Sequence, residues 1–469
     1  MDFGLFRTRR KDSSAQAKRY LGGLVSEADR KNIEVMNRRI KSDSDAPQSG
    51  HGDSKQDGTE AAPDNGALEK KGEYDAMHHF LSVSPWDARK VFDFVAAQAD
   101  GRLGGRPDSM LIIDESAVTK KGKASVGVAR QHNGRLGKQD NCQVGVHSVL
   151  NSGVRSAMIG AKLFLPDEWV DDPERCKKAG VPEEEIKKRT KIELARELIE
   201  QAIEQKVRFA CVGVDAFYGR DSSFLEWMND KGIIYYADVP ANTLVFAQEP
   251  PADEKRPAKM KEAAVRVDLL ADELIESGPG TMVDLREGEN GLVRVEAWVR
   301  EVWVWPAERA TPRKCAIIVR RSKSDGSIKV TLTNADLKQT SVEHMVRCQG
   351  SRFFVERTFQ DGKSHVGMGQ YQVRGWLAWN HHMAMVALAL LFIMEQRMLL
   401  AESTPLLTAA DIVYLLDWHL ARERTLDQSI AEVEKRHRQR ARNSRNAKNR
   451  ARKKLGLPSV ENVPIFVPK

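Results

Sequence analysis

Two short apolar runs in this chain close on the same residue. MLIIDES (Met110–Ser116) and FACVGVDAFYG (Phe209–Gly219) each read as a strand that ends on an aspartate, Asp114 or Asp215. The stretches around them are regular. ASVGVARQHNG and NCQVGVHSVLNSG read as two more strands, parted by the turn-forming NGRLGKQDN. KIELARELIEQAIEQ places apolar residues at 192, 195, 198/199 and 202/203, the spacing of an amphipathic helix. GIIYYADVP is a fifth strand.

Three strands, a helix, a strand, a helix and a strand is the order of an RNase H-like sheet. The expected fold class is therefore α/β, with an RNase H-like core at 99–237 that resumes at 339–400. Between the two parts, RVEAWVREVWVWP and KCAIIVRRSKSDGSIKVTLTN alternate apolar and polar residues, which predicts antiparallel strands in a β-rich insertion at 238–338. PPADEKRPAKMKE reads as a loop within it. Ahead of the core, residues 1–98 are expected to be a helical DNA-binding region, with Ser82 or Ser84 capping the helix that follows PWD. A linker at 41–70 interrupts that region; its Ser-, Asp-, Gly- and Pro-rich stretch Lys41–Gly66 has no large apolar residue, so burial cannot offset the entropy of ordering it. Residues 401–469 are expected to be a helical, basic C-terminal region.

The charge is local. Residues 435–454, KRHRQRARNSRNAKNRARKK, hold eleven Lys or Arg and no acid, so the rest of the chain carries −3 against +8 for the whole. Such a run meets a polyanion or forms a solvated helix face. The DNA-contacting candidates within it are Arg436, Arg438, Arg440, Arg442, Arg445, Lys448, Arg450 and Arg452. The five cysteines are widely spaced with no C-x-x-C pair, which predicts reduced thiols rather than zinc ligands or a disulfide framework. The start, MDFGLFRTRRKD, lacks the apolar core of a signal peptide. MAMVALALLFIM (Met383–Met394) is too short to span a bilayer and reads as a buried helix, so no membrane association is expected.

The segment SRFFVERTFQDGK (Ser351–Lys363) sets Glu356 among apolar residues, and a buried carboxylate needs a partner. On a continuous helix, Gln349, Arg352, Glu356 and Lys363 fall within an arc of about 60°. An ordinary surface ion pair between Arg352 and Glu356 explains part of this. The two aspartates suggest more. If the helix packs beside the sheet, three carboxylates converge, and hard oxygen ligands suit Mg²⁺ or Mn²⁺. Two such ions can activate a water or a 3′-hydroxyl and stabilise the leaving oxygen of a phosphoryl transfer.

Asp114, Asp215 and Glu356 resemble the DDE triad of bacterial insertion-sequence transposases. The third segment matches the signature Y-x2-R-x3-E-x6-K at Arg352, Glu356 and Lys363, with Gln349 at the tyrosine position. RYLGGLVSEADRKN, HHFLSVSPWD, KKGKASVGVARQHNGRLGKQDNCQVGVHSVL and YQVRGWLAWNHHMAM resemble the insertion sequence 701 group, and the likeness runs from about residue 18 to 400. The resemblance implies a cut-and-paste enzyme with two Mg²⁺ or Mn²⁺ ions held by Asp114, Asp215 and Glu356. It implies DNA contacts from Gln349, Arg352 and Lys363. Its partners would be transposon terminal inverted repeats and target DNA, with a homodimer in the synaptic complex, in the bacterial cytoplasm at the nucleoid. KKGKAS (Lys120–Ser125) lacks the first glycine of a P-loop, so no nucleotide cofactor is expected, and Lys120, Lys121 and Lys123 are expected to face DNA. His381 and His382 lack metal-ligand spacing and are expected in the core or on DNA. Trp298, Trp303 and Trp305 are expected to pack rather than stack on a base. A metal-dependent nuclease, a non-transposing host-adopted protein of the same fold, and a DNA-binding repressor are the competing readings; an intact triad argues against the last.

Overall fold

The computed structural model describes residues 3–39, 65–251, 264–401 and 407–420, apart from 10, 29, 135, 289–290 and 306–310, together with 442, 445–446 and 449. Residues 1–40 and 48–420 form one compact unit, and 41–47 with 421–469 a second. In the second unit, Arg442 is exposed and Arg445 half-buried, both in helical conformation. The other six arginine and lysine candidates of the basic run lie outside the described residues.

Four helices open the first unit: α1 (Ser14–Leu24), α2 (Ile33–Arg39), α3 (Asn65–Ser82) and α4 (Ala88–Leu103). Helix α3 begins inside the expected linker, whose residues 41–64 lie outside the described ones. Helix α4 is capped by Asp87, which accepts from the Arg89 amide at 2.8 Å. Ser84 does not cap it; its hydroxyl is turned to His79 Nδ1 at 3.2 Å. Helix α4 also runs across residue 98, so the expected boundary there falls inside a continuous element.

The sheet begins with β1 (Met110–Thr119), β2 (Ala129–Asn133), β3 (Lys138–Ser152) and β4 (Arg155–Leu163). Strand β3 runs antiparallel to β1 from Asn151 opposite Met110 to Cys142 opposite Thr119. Its other edge is shared, with β2 on its first residues and β4 on its last. The strand expected in ASVGVARQHNG exists only from Ala129 onward. The third long strand is RSAMIGAKL, which the sequence does not announce because Ser, Ala and Gly are weak strand formers. Their smallness has a use: a Cβ on Gly160 would meet Ser148 Oγ at 2.6 Å and Leu198 Cδ2 at 3.0 Å.

Two short helices, α5 (Asp167–Val170) and α6 (Pro173–Lys178), lead to α7 (Lys191–Glu204), the amphipathic helix expected from KIELARELIEQAIEQ. Thr190 and Glu193 close a capping box at its start. Strand β5 (Cys211–Val214), α8 (Ala216–Gly219), α9 (Ser222–Asp230) and β6 (Tyr235–Asp238) follow. Strands β1, β5 and β6 are parallel neighbours, with Ile112 opposite Gly213 and Val214 opposite Ala237.

The β-rich insertion holds β7 (Leu244–Val245), β8 (Val265–Arg266), α10 (Val267–Glu276), β9 (Thr281–Gly288), β10 (Gly291–Val304), β11 (Arg313–Ser322) and β12 (Ile328–Thr333). Most of PPADEKRPAKMKE lies outside the described residues. Strand β12 pairs with β6, Thr331 opposite Asp238. The insertion therefore continues the central sheet, in the order β2-β3-β1-β5-β6-β12-β11-β10-β9. The architecture is an α/β, RNase H-like core with β-rich inserted strands and flanking helices. Trp298 and Trp305 are buried and Trp303 half-buried.

The chain closes this unit with α11 (Val342–Ser351), α12 (Phe353–His365), α13 (Trp376–Leu399) and α14 (Ala409–Leu420). Helix α13 is longer than the apolar run suggests, 24 residues, and long and apolar enough to cross a membrane by composition; here it is wrapped by β4, α1, α3 and α4. His381 lies in the core, stacked on Trp86 with its ring nitrogens 2.8 Å from the carbonyls of Leu81 and Trp86. His382 is equally buried, 2.7 Å from the Tyr20 hydroxyl. The five cysteines are free and buried.

Candidate active site

The parallel strands bring acids to one level of the sheet. Asp114 does not end its strand as expected: it lies mid-way along β1, opposite His147 of β3 and two residues beyond the last residue paired with β5, while Asp215 follows the end of β5 directly. Asp114 accepts from the Glu115 amide at 2.7 Å. Asp215 caps α8, accepting from the amides of Phe217 at 2.9 Å and Tyr218 at 3.4 Å. Both side chains are therefore held by backbone donors rather than free to rotate.

Glu356 arrives from α12. The helix expected across the whole third segment is broken at Arg352, between α11 and α12. That break decides which residues meet. Arg352, Glu356 and Lys363 line one cleft of about 660 Å³ together with Asp114 and Asp215. Helix α12 survives Gly362, where a Cβ would come within 3.1 Å of Met368 Sδ, and so carries Lys363 into the cleft.

Gln349 is a correction. It lies on α11, before the break, and its side chain is buried, donating to Thr331 Oγ1 at 2.5 Å. It does not face the cleft. Lys120 lies away from this cleft: it is half-buried and lines a different cavity of about 820 Å³ with Lys121, Tyr20 and Tyr371. Its ammonium sits 3.4 Å from the Tyr371 ring centre, and burial pulls it down to about 8. Lys121 and Lys123 are exposed.

Arg352 organises the acids. Its Nη1 is 3.6 Å from Asp114, its Nη2 3.4 Å from Glu356, and its Nε 3.2 Å from Asp238. Three nitrogens of one planar guanidinium thus face three carboxylates, a geometry that a lysine cannot copy. Asp238 closes the apolar run GIIYYADVP just as Asp114 and Asp215 close theirs, so the signal that finds the first two finds it as well. Glu115, also in the cleft, is neutralised by Lys191 at 2.7 Å and accepts from the Tyr218 hydroxyl at 3.2 Å.

Burial outweighs the neighbouring cations at both aspartates. Burial pushes Asp114 up to about 7, the Asp215 charge adds to that, and Arg352 opposes it. Burial also raises Asp215. Among the described residues no three acid, His or Cys side chains stand close enough to enclose an ion as they are placed. The donor set nonetheless fits hard divalent cations: oxygen ligands only, with the two aspartates held by backbone amides.

The shift of Asp114 has a consequence for stability. A carboxyl whose pKa is raised by folding holds its proton more tightly in the native state, so its ionisation opposes folding. Without divalent cations, stability attributable to Asp114 falls as pH rises from about 3.8 to about 7. Asp114→Asn is expected to raise the melting temperature in EDTA by roughly 2 °C or more at pH 8, with the gap closing towards pH 4. Thermal denaturation across that pH range checks it.

Asp114 and Asp215 thus stand at neighbouring parallel strands of an RNase H-like sheet, with Glu356 and two cations of α12 and its start lining the same cleft. The family model described as DDE superfamily endonuclease matches residues 3–291, well over half of the chain, and the protein belongs to that family. The match takes in Asp114 and Asp215 and ends before Glu356, so the third acid rests on the geometry of the cleft. The chain is also similar to a probable transposase for insertion sequence element IS701 from Microchaete diplosiphon, 34% identical over 170 residues. That alignment covers 36% of this chain and 41% of the relative.

Proposed function

We propose that this protein is a DNA transposase that binds transposon ends, cleaves them and joins the freed 3′-hydroxyls to target DNA. The observation that carries the reading is the single cleft shared by Asp114, Asp215, Glu356, Arg352 and Lys363. Asp114, Asp215 and Glu356 would hold two Mg²⁺ or Mn²⁺ ions. When bound, these supply the charge that activates a water or a 3′-hydroxyl and stabilises the leaving oxygen.

The chain's own residues do the rest. The amides of α8 and of Glu115 keep the two aspartates oriented towards the cleft. Arg352 and Lys363 hold the phosphodiester, Arg352 with a planar fork suited to phosphate oxygens. The basic run, the N-terminal helices, and Lys121 and Lys123 between β1 and β2 supply further DNA contact. Two copies of the chain would bring two ends together, in the bacterial cytoplasm at the nucleoid.

Arg352→Lys is expected to cut cleavage by roughly tenfold or more, because a point charge cannot serve three directions. Lys363→Ala should reduce cleavage and end affinity together. Wild-type activity in Arg352→Lys would count against the assignment. The test of the function is a duplex carrying the transposon end, incubated with the full chain, Mg²⁺ and a target plasmid. Joined product is the expected result. Cleavage without joining would make the protein a nuclease, and binding without cleavage a DNA-binding protein.

A further inference from the structure

Asp238 is absent from the triad, yet it makes the shortest of the three contacts to Arg352, 3.2 Å from Nε. It is itself fixed. Thr331 Oγ1, fully buried on β12, donates to Asp238 Oδ1 at 2.5 Å. Gln349 on α11 donates in turn to Thr331 Oγ1 at 2.5 Å. One oxygen of Asp238 is thus committed to the inserted strand and the other to Arg352. The backbone beneath it is also crowded, since a Cβ on Gly219 would meet the Asp238 carbonyl oxygen at 2.0 Å.

The contacts of Arg352 with Asp114 and Glu356 are different in kind. They are longer, 3.6 and 3.4 Å, and they engage the acids that the proposed function assigns to divalent cations. A guanidinium there competes with a divalent cation for the same oxygens. A second cation, Arg320 on β11, acts on Asp238 and repels Arg352. If Asp238 lost its charge, that repulsion would drive Arg352 further onto Asp114 and Glu356.

We infer that Asp238 is a positioning residue that anchors Arg352 by Nε, so that Nη1 and Nη2 can leave the catalytic acids for a DNA phosphate while the side chain stays in the site. Gln349 and Thr331 are the struts behind it, which gives the buried Gln349 a function. The inference rests on the reading of Asp114, Asp215 and Glu356 as a divalent-cation site.

The test is Mn²⁺ binding to the full chain, read as loss of the free-ion EPR signal and counted above binding to Glu356→Gln. Arg352→Ala removes the competitor and should tighten Mn²⁺ binding by roughly tenfold. Asp238→Asn should weaken it by roughly tenfold in the wild-type background, and by less than about threefold when Arg352 is already Ala. Thr331→Val, which keeps the side-chain shape, should show a smaller loss with the same dependence on Arg352. Equal losses from Asp238→Asn in both backgrounds would overturn the inference, since Asp238 would then act on the ion directly. So would weaker binding in Arg352→Ala. Absence of Mn²⁺ binding in wild type and Arg352→Ala alike would instead overturn the cation-site reading and the inference with it.

Discussion

Asp114→Asn, Asp215→Asn and Glu356→Gln are each expected to lower strand cleavage in Mg²⁺ by at least roughly 1,000-fold, with end binding unchanged within about twofold. Each replacement keeps the size of the side chain and removes its charge. Binding rests on basic residues and counterion release, and the three replacements remove no cation. The structure adds a distinction between them. The Asp114 side chain is 15% exposed and Glu356 59%. Asp114→Asn should therefore stabilise the metal-free protein while Glu356→Gln leaves its melting temperature nearly unchanged. Cleavage on denaturing gels, mobility shifts and thermal denaturation measure the three quantities. Any of these variants that cuts at the wild-type rate is not catalytic at that position.

Removing the basic run should flatten the salt dependence of DNA binding by roughly four to five units of slope, from about −0.9 per neutralised phosphate if half its cations engage. The run holds eleven cations and no acid, and without it the chain is net negative. It has too few apolar positions to fold alone, so the expectation is that it orders on DNA. Mn²⁺ binding at the triad should survive the truncation. A salt titration of end binding, for the full chain and for one ending near Val433, is the measurement. Equal slopes would make the run a solvated face and send the search for the main contact to the N-terminal helices and the cleft.

Much of the site is legible without coordinates. Asp114 and Asp215 are announced because each closes a buried apolar run, although only Asp215 also ends its strand; β1 continues past Asp114 to Thr119, paired with β3. Arg352, Glu356 and Lys363 are announced by spacing, and α12 carries the last two into the cleft as helical geometry requires. Asp238 obeys the rule that finds the first two, but only its neighbours give it a role.

The sequence by itself determined the local elements: the short apolar strands, the amphipathic α7, the buried α13 and the alternation of β10 to β12. Each depends on residues within one turn or one strand of each other. The tertiary structure alone decided which of them meet. Strand β4 exists because small residues let α7 and α13 press on it, a fact of packing rather than propensity. The β-rich insertion joins the central sheet because β12 finds β6 across about ninety residues of chain, and pairing at that separation leaves no mark on either strand. Gln349 turns from the cleft to Thr331 because the helix breaks at Arg352. Arg352 meets Asp114 and Asp238 because β1 and β6 bring them beside it, and only its pair with Glu356 follows from helical spacing. A helix period fixes a direction only while the helix continues, and where it stops the neighbours in space decide.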